Sequence, residues 1–238
     1  MPVLVISGTG TEVGKTVTTA AVAAVALAAG RSVAVLKPAQ TGVGPHECGD
    51  ADEVARLAGT LTTRELGRFP EPLAPATAAR RAGLAPVRPQ EVADAAGKLA
   101  ADHDLVLVEG AGGLLVRFDD EGATLADVAR LLDAPVLVVA AAGLGTLNNT
   151  ELTARELRRQ GLDFAGVVIG SWPDSPDLAM RCNLADLPEV SGGPLLGAIP
   201  AGAGARDPLD FRARAATWLA APLGGTWDAH AFTATHPA

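Results

Sequence analysis

The chain has 238 residues, 48% of them apolar, with a formal net charge of −8 and an isoelectric point near 5.0. That length and composition support a real hydrophobic core in one α/β domain, while the acidic balance argues against a general affinity for nucleic acid or anionic membrane, both polyanions. Two cysteines, Cys48 and Cys182, are too few for a disulfide framework or a thiolate metal cluster and read as free thiols in a reducing compartment, so a cytoplasmic location is expected.

Short β-branched runs alternate with alanine-rich helical stretches. Val3 to Ser7 reads as the first strand and Lys15 to Ala29, stopped by Gly30, as the first helix. A second strand, Ser32 to Leu36, precedes a helix over Asp50 to Ala58, and the proline-rich stretch from Phe69 to Arg88 reads as a loop or lid. Then follow a helix over Pro89 to Ala101, a strand over Leu105 to Val108, a helix over Thr124 to Leu132 and a strand over Val136 to Ala140. A helix over Leu147 to Gln160, strands over Ala165 to Ile169 and Leu195 to Ile199, and a helix around Phe211 to Ala220 complete the pattern. This alternation predicts a single doubly wound α/β domain over residues 1–221, a mostly parallel sheet flanked by helices, followed by a poorly ordered tail over 222–238. Apolar runs such as Val136 to Leu144 are too short to cross a bilayer, and no signal peptide is expected from the strand-like start.

In such sheets ligands gather at the carboxyl ends of the strands. That rule selects Gly8 to Thr16, Lys37 to Gly42, Glu109 to Gly113, Ala141 to Asn149, Gly170 to Trp172 and Pro200 to Gly204. GTGTEVGKT, residues 8–16, follows a strand and opens a helix, the context a phosphate-binding loop requires. Backbone N–H groups from Glu12 and Val13 through Gly14, Lys15 and Thr16 to Val17, with the positive end of the helix, would cradle a di- or triphosphate. Lys15 would reach the β- and γ-phosphates and the Thr16 hydroxyl would ligate magnesium. Gly8 and Gly14 enclose five residues, one more than the usual spacing, which bears on subclass rather than on nucleotide binding.

The strand LVLVE ends in Glu109, followed by Gly110, Ala111 and Gly112. A carboxylate at a strand end beside a phosphate loop holds magnesium directly or through water, so Glu109 is a second candidate ligand. Within GDADE, residues 49–53, the residues alone do not separate Asp50 from Asp52. Lysine is scarce: Lys15, Lys37 and Lys98 stand against sixteen arginines. A compact ammonium at the end of the second strand suits a place between two anions better than a forked guanidinium does.

Four blocks, GTGTEVGKT, KPAQTG at 37–42, VEGAGG at 108–113 and GLGTLNNTELT at 143–153, stand in order at the expected strand ends. With them the chain resembles the dethiobiotin synthetase family over roughly Val3 to Gly204. The resemblance implies a homodimer, active near its subunit interface, that converts 7,8-diaminononanoate, CO₂ and ATP into dethiobiotin, ADP and phosphate with magnesium. By motif position Thr11, Lys37, Thr41, Gly112 and Val116 would line the diamine site, and Thr16, Asp52 and Glu109 would surround magnesium, the family favouring Asp52. Lys37 and Lys15 would be the catalytic cations. Leu144 and Asn148 would come from the partner subunit, at a helix start suited to the substrate carboxylate. PLAPATAAR, residues 72–80, also matches a family segment near the substrate. Many family members carry an asparagine that reads the adenine edge where this chain has Gly170-Ser171-Trp172. A glycine makes no such contact, so weaker base selection is expected, with other nucleoside triphosphates competing and backbone around Pro200, Ala201 and Gly202 holding the base.

The alternative is a partitioning or cell-division ATPase of the deviant P-loop class, but its signature lysine five residues before the loop lysine is here Gly10. An amide-forming synthetase for a large acid such as a corrin would normally need a glutaminase domain for which there is no room. The four histidines, His46, His103, His230 and His236, form no metal spacing, and Trp172, Trp218 and Trp227 read as core or interface aromatics.

Overall fold

The computed structural model describes residues 3–238. Seven strands, β1 (Val3–Gly8), β2 (Val33–Thr41), β3 (Thr62–Phe69), β4 (Leu105–Gly113), β5 (Val136–Ala140), β6 (Phe164–Trp172) and β7 (Leu195–Pro200), form one sheet in the order β3-β2-β4-β1-β5-β6-β7. Every strand pairing in it is parallel. Nine helices accompany it among the described residues: α1 (Lys15–Ala28), α2 (Asp50–Ala58), α3 (Pro75–Ala82), α4 (Pro89–Asp102), α5 (Leu125–Leu132), α6 (Thr146–Arg159), α7 (Leu178–Ser191), α8 (Pro208–Arg214) and α9 (Ala229–Ala234).

Alternation along the inner strands sends successive side chains to opposite faces. Leu4, Ile6, Val33, Val35, Leu105, Leu107, Leu137 and Val139 pack with α1, α2 and α8. Their neighbours Val3, Val5, Ala34, Leu36, Val106, Val108, Val136 and Val138 pack with α3, α4 and α5. This parity decides the site. Lys37 continues the odd-numbered face of Val33 and Val35, and Glu109 that of Leu105 and Leu107, so both are directed toward α1.

The chain departs from β1 toward β2 and β3, returns to β4, and crosses over to β5, β6 and β7. β1 therefore lies at the reversal of strand order, where the crevice of a doubly wound sheet opens.

Four features differ from the sequence expectations. β3 is an additional strand on the sheet edge, and its sequence TTRELGRF is exposed or half-buried except at Phe69, so no apolar pattern announces it. The segment expected to be a loop over 69–88 contains α3, which begins with Pro75 at its first position, where proline is tolerated. A fourteen-residue helix, α7, precedes β7 although it contains Pro188. In place of the frayed end expected over 222–238, α9 packs against the carboxyl end of β6, with Phe232 and Trp172 ring centres 5.5 Å apart in an edge-on arrangement.

Candidate active site

β1 ends at Gly8, and the chain loops to α1 through two left-handed positions, Glu12 (φ 59°) and Gly14 (φ 96°). Gly14 is the residue before the helix and offers no side-chain cap, so the first N–H groups of α1 are left for a ligand. The loop closes beside a cavity of about 740 Å³ lined by Thr11, Glu12, Gly14, Lys15, Thr16 and Val17. Lys37, Gln40, Thr41 and Asp50 line another wall; Pro72 to Pro75, Ala111, Gly112 and Val116 complete it.

Beneath this cavity lies a charge cluster. Lys37 Nζ contacts Glu109 Oε1 at 2.8 Å and Asp50 Oδ2 at 2.5 Å, and donates to the Gly110 carbonyl at 3.2 Å. Glu109, 1% exposed, also accepts from Thr16 Oγ1 at 2.9 Å and from Thr19 Oγ1 at 2.6 Å. Such a buried carboxylate is stable only because its charge is matched and its oxygens are hydrogen-bonded. Burial pulls the Lys37 pKa down, but Glu109 and then Asp50 outweigh it, and the net shift is upward. Lys15 behaves oppositely: burial first, and repulsion from Lys37 second, hold its pKa below the ordinary lysine value. Its Nζ donates to the Gly10 carbonyl at 2.9 Å, folding back over the loop.

Asp50, not Asp52, reaches this cluster. Asp52 Oδ2 instead accepts from Gly49 N at 2.8 Å, closing the first turn of its own helix, and lies 3.7 Å from Arg68. The family-based preference is for Asp52; in this structure it is Asp50 that faces the Lys37–Glu109 cluster, because positions two apart on a helix point to different sides.

The remaining expected residues divide. Thr11, Glu12, Gly14, Lys15, Thr16, Val17, Lys37, Thr41, Ala111, Gly112 and Val116 share the cavity. Glu109 and Gly110 lie just below it, while Val13 packs against the hydrophobic core on the α1 side. Gly170 touches the phosphate loop from the β6 side, and Ala201 N donates to Trp172 O at 2.7 Å, joining the ends of β6 and β7 beside Ser171 and Pro200. Gly202 starts a short 3-10 turn beyond them. Leu144 is 93% exposed, and Asn148 is exposed on α6, outside the cavity. Thr19, Gln40 and Ala39 are members of the site that motif reading passed over. Thr19 could have been found from its position four residues after Lys15, on the same side of α1.

The donor set suits magnesium: hard oxygens from Thr16, Asp50 and Glu109, with space above them for a polyphosphate and water. No group of three or more His, Cys, Asp or Glu side chains forms an all-protein metal cage among the described residues.

A phosphate loop between a central parallel strand and α1, with a strand-end carboxylate facing it, defines a P-loop nucleotide-binding protein. The ParA family ATPase from Chlorobium tepidum shares the fold at 16% identity and a TM-score of 0.55, over 89% of this chain and 90% of that one. The MinC:MinD cell division protein complex of Aquifex aeolicus gives 15% identity and a TM-score of 0.56, over 90% and 86%. At such identities the likeness is one of fold alone. A family profile described as an AAA domain matches residues 3–207. The ATP-dependent dethiobiotin synthetase BioD of Streptomyces avermitilis is 81% identical over 232 residues, 98% of each chain. That of Streptomyces coelicolor is 76% identical over 236 residues, 99% of each, and that of Saccharopolyspora erythraea 68% over 227, covering 95% and 99%. The chain belongs to the ATP-dependent dethiobiotin synthetase family.

Proposed function

We propose that this chain is an ATP-dependent dethiobiotin synthetase that closes a urea ring on 7,8-diaminononanoate. The observation carrying this reading is the Lys37 ammonium fixed between Glu109 and Asp50 under a cavity that also receives Lys15 and the open end of α1. One amine of the diamine adds CO₂ and loses a proton, giving a carbamate. A carbamate oxygen then attacks the γ-phosphorus of ATP, ADP leaves, and a carbamate–phosphate anhydride forms. The second amine attacks the carbamate carbon, the C–O bond to phosphate breaks, and the ring closes with loss of a proton.

None of these steps needs a protein nucleophile. The chain must hold two anions together and match the charge that moves to the transferring phosphoryl group. Lys15, at the mouth of the loop, suits the polyphosphate; Lys37, in the middle of β2 and one strand removed from β1, suits the carbamate and the γ-phosphoryl group. Thr16, Asp50 and Glu109 would hold magnesium, which when bound supplies charge neutralisation across the phosphates. Thr11, Thr41, Gly112 and Val116 offer the diamine a wall of hydroxyl, backbone and apolar surface.

The Leu144 and Asn148 region lies outside the cavity and is exposed, which supports a homodimer in which a partner's α6 start receives the substrate carboxylate. ATP is the donor that the names of the relatives indicate. The absence of a side chain at Gly170 supports tolerance of other nucleoside triphosphates. Apolar runs are short and no described helix is long and apolar enough to cross a membrane, which fits the proposed cytoplasmic location. A partitioning-type switch is disfavoured because Gly10, where its signature lysine would stand, instead supplies the carbonyl that Lys15 engages.

The test is incubation of the purified protein with the diamine, bicarbonate, magnesium and each nucleoside triphosphate, followed by mass spectrometry. Dethiobiotin should form with phosphate release that requires the diamine. Phosphate release independent of diamine, with no dethiobiotin, would point to a switch instead.

A further inference from the structure

Helix α2 begins without a capping side chain, because the residue before it is Gly49. A glycine there leaves the first N–H groups of the helix to be satisfied by something else. The Asp52 carboxylate takes the N–H of Gly49 itself, and the first helical N–H, that of Asp50, donates to Gln40 Oε1 at 2.8 Å. Gln40 belongs to β2, ten residues upstream, and is buried. Only the oxygen of its carboxamide can accept, so this contact fixes the orientation of the group, while Nε2 faces the Thr41 carbonyl at 3.3 Å. A conventional cap would displace the side chains that crowd this position. A Cβ on Gly49 would lie 2.9 Å from Gln40 Oε1 and 2.7 Å from Glu65 Oε1.

β2 therefore grips Asp50 twice. Lys37 holds its carboxylate at 2.5 Å and Gln40 holds its backbone N–H at 2.8 Å. Without the second grip, the first turn of α2 has no fixed partner at its leading N–H, and the Asp50 carboxylate gains freedom to turn away from the cavity. We propose that Gln40 is a positioning residue for the reaction, setting the place of the Asp50 carboxylate through its backbone and thereby the affinity for the nucleotide-bound metal. Arg68 of β3 supports the same loop, donating to the carbonyls of Gly44 at 3.0 Å and Glu47 at 2.6 Å while paired with Glu65. This inference rests on the assignment of Asp50 to the magnesium site.

The experiment measures the magnesium concentration needed for half-maximal ATP binding by calorimetry, with turnover at saturating magnesium, in Gln40→Leu, Gln40→Glu and Asp50→Asn. Outer residues that orient a ligand typically change metal affinity by about 10–100-fold. Gln40→Leu should raise the magnesium requirement about tenfold or more, with ATP binding in excess chelator and the melting temperature close to the parent. Gln40→Glu retains an acceptor oxygen for the Asp50 N–H and should recover most of the loss. A parental magnesium response in Gln40→Leu beside an impaired Asp50→Asn overturns the positioning role alone; parental responses in both overturn the metal assignment and this inference with it. Equal impairment of Gln40→Glu and Gln40→Leu also overturns it, because the acceptor would then be irrelevant.

Discussion

Gly14 and Gly170 bring the phosphate loop and the end of β6 into backbone contact: a Cβ built on Gly14 would lie 2.3 Å from the Gly170 carbonyl oxygen. One built on Gly170 would lie 2.0 Å from the carbonyl oxygen of Val13 and 2.6 Å from Val139 Cγ1. The missing side chain at position 170 is thus a packing requirement. The P-loop settles directly on the strand.

Gly170→Asn should accordingly strain the loop rather than restore base reading. Overpacking of this kind costs about 1–3 kcal/mol, and triphosphate affinity should fall with the displaced loop. Thermal unfolding and calorimetry measure the two effects. A stable variant with sharpened preference for ATP would show that the loop has room to move aside.

Lys37→Met keeps the volume but removes the charge that balances Glu109 and Asp50. Breaking a buried pair in this way costs on the order of 3–5 kcal/mol, and loss of a transition-state cation lowers turnover by about 10²–10³-fold. Denaturant unfolding and the dethiobiotin assay should register both, with ATP binding reduced far less. Near-full turnover would remove Lys37 from the mechanism.

The two helix-start acids should behave differently. Asp52→Ala removes a carboxylate that closes the first turn of α2 and pairs with Arg68, at a cost of about 1 kcal/mol in stability, and should leave the magnesium requirement intact. Asp50→Asn should raise that requirement with little change in melting temperature. The reverse pattern would reinstate Asp52 as the ligand.

Lys15 is held below the ordinary lysine pKa by burial and by Lys37. In the free enzyme its charge costs stability in full below that folded pKa, and the cost shrinks as pH rises from the folded value and is gone above the unfolded value of ~10.4. A polyphosphate favours the ammonium form, so ATP binding should take up a proton as pH rises toward the unperturbed lysine value of ~10.4, and not at neutral pH, where both states are charged. Calorimetry in buffers of different ionisation enthalpy detects this, and Lys15→Met should abolish it while weakening binding severely. Lys37 has the opposite sign: its folded pKa is raised, so its contribution is complete below the unfolded value of ~10.4 and is lost as pH climbs through the folded one. Alkaline denaturation should therefore be less steep in Lys37→Met than in the parent.

The inner sheet and the phosphate loop are legible because β1, β2, β4 and β5 are buried on both faces and read as apolar runs, the first three leading into glycine, lysine and glutamate. Thr62–Phe69 carried no such pattern, since an edge strand with Arg64, Glu65 and Arg68 exposes much of its length and draws its order from pairing with β2. Pro188 concealed α7, and the aromatic residues of the tail gave no hint that they would find Trp172. Within the site, Lys37 and Glu109 follow apolar strand runs, and Lys15 follows from the glycine-rich loop that opens α1. Choosing Asp50 over Asp52 required the direction of each side chain, which depends on where α2 begins, and that is set by Gln40 at a distance in sequence.

The hydrogen bond from Thr16 to Glu109 joins residues 93 positions apart. A ribosome-bound chain that has emerged only through β3 therefore carries the glycine-rich loop but lacks the carboxylate beneath it. Closing so large a loop is entropically costly and slow compared with local helix formation. Competence to engage a nucleotide should thus wait until β4 has joined the sheet, and fragments ending before Glu109 should be silent rather than weakly active.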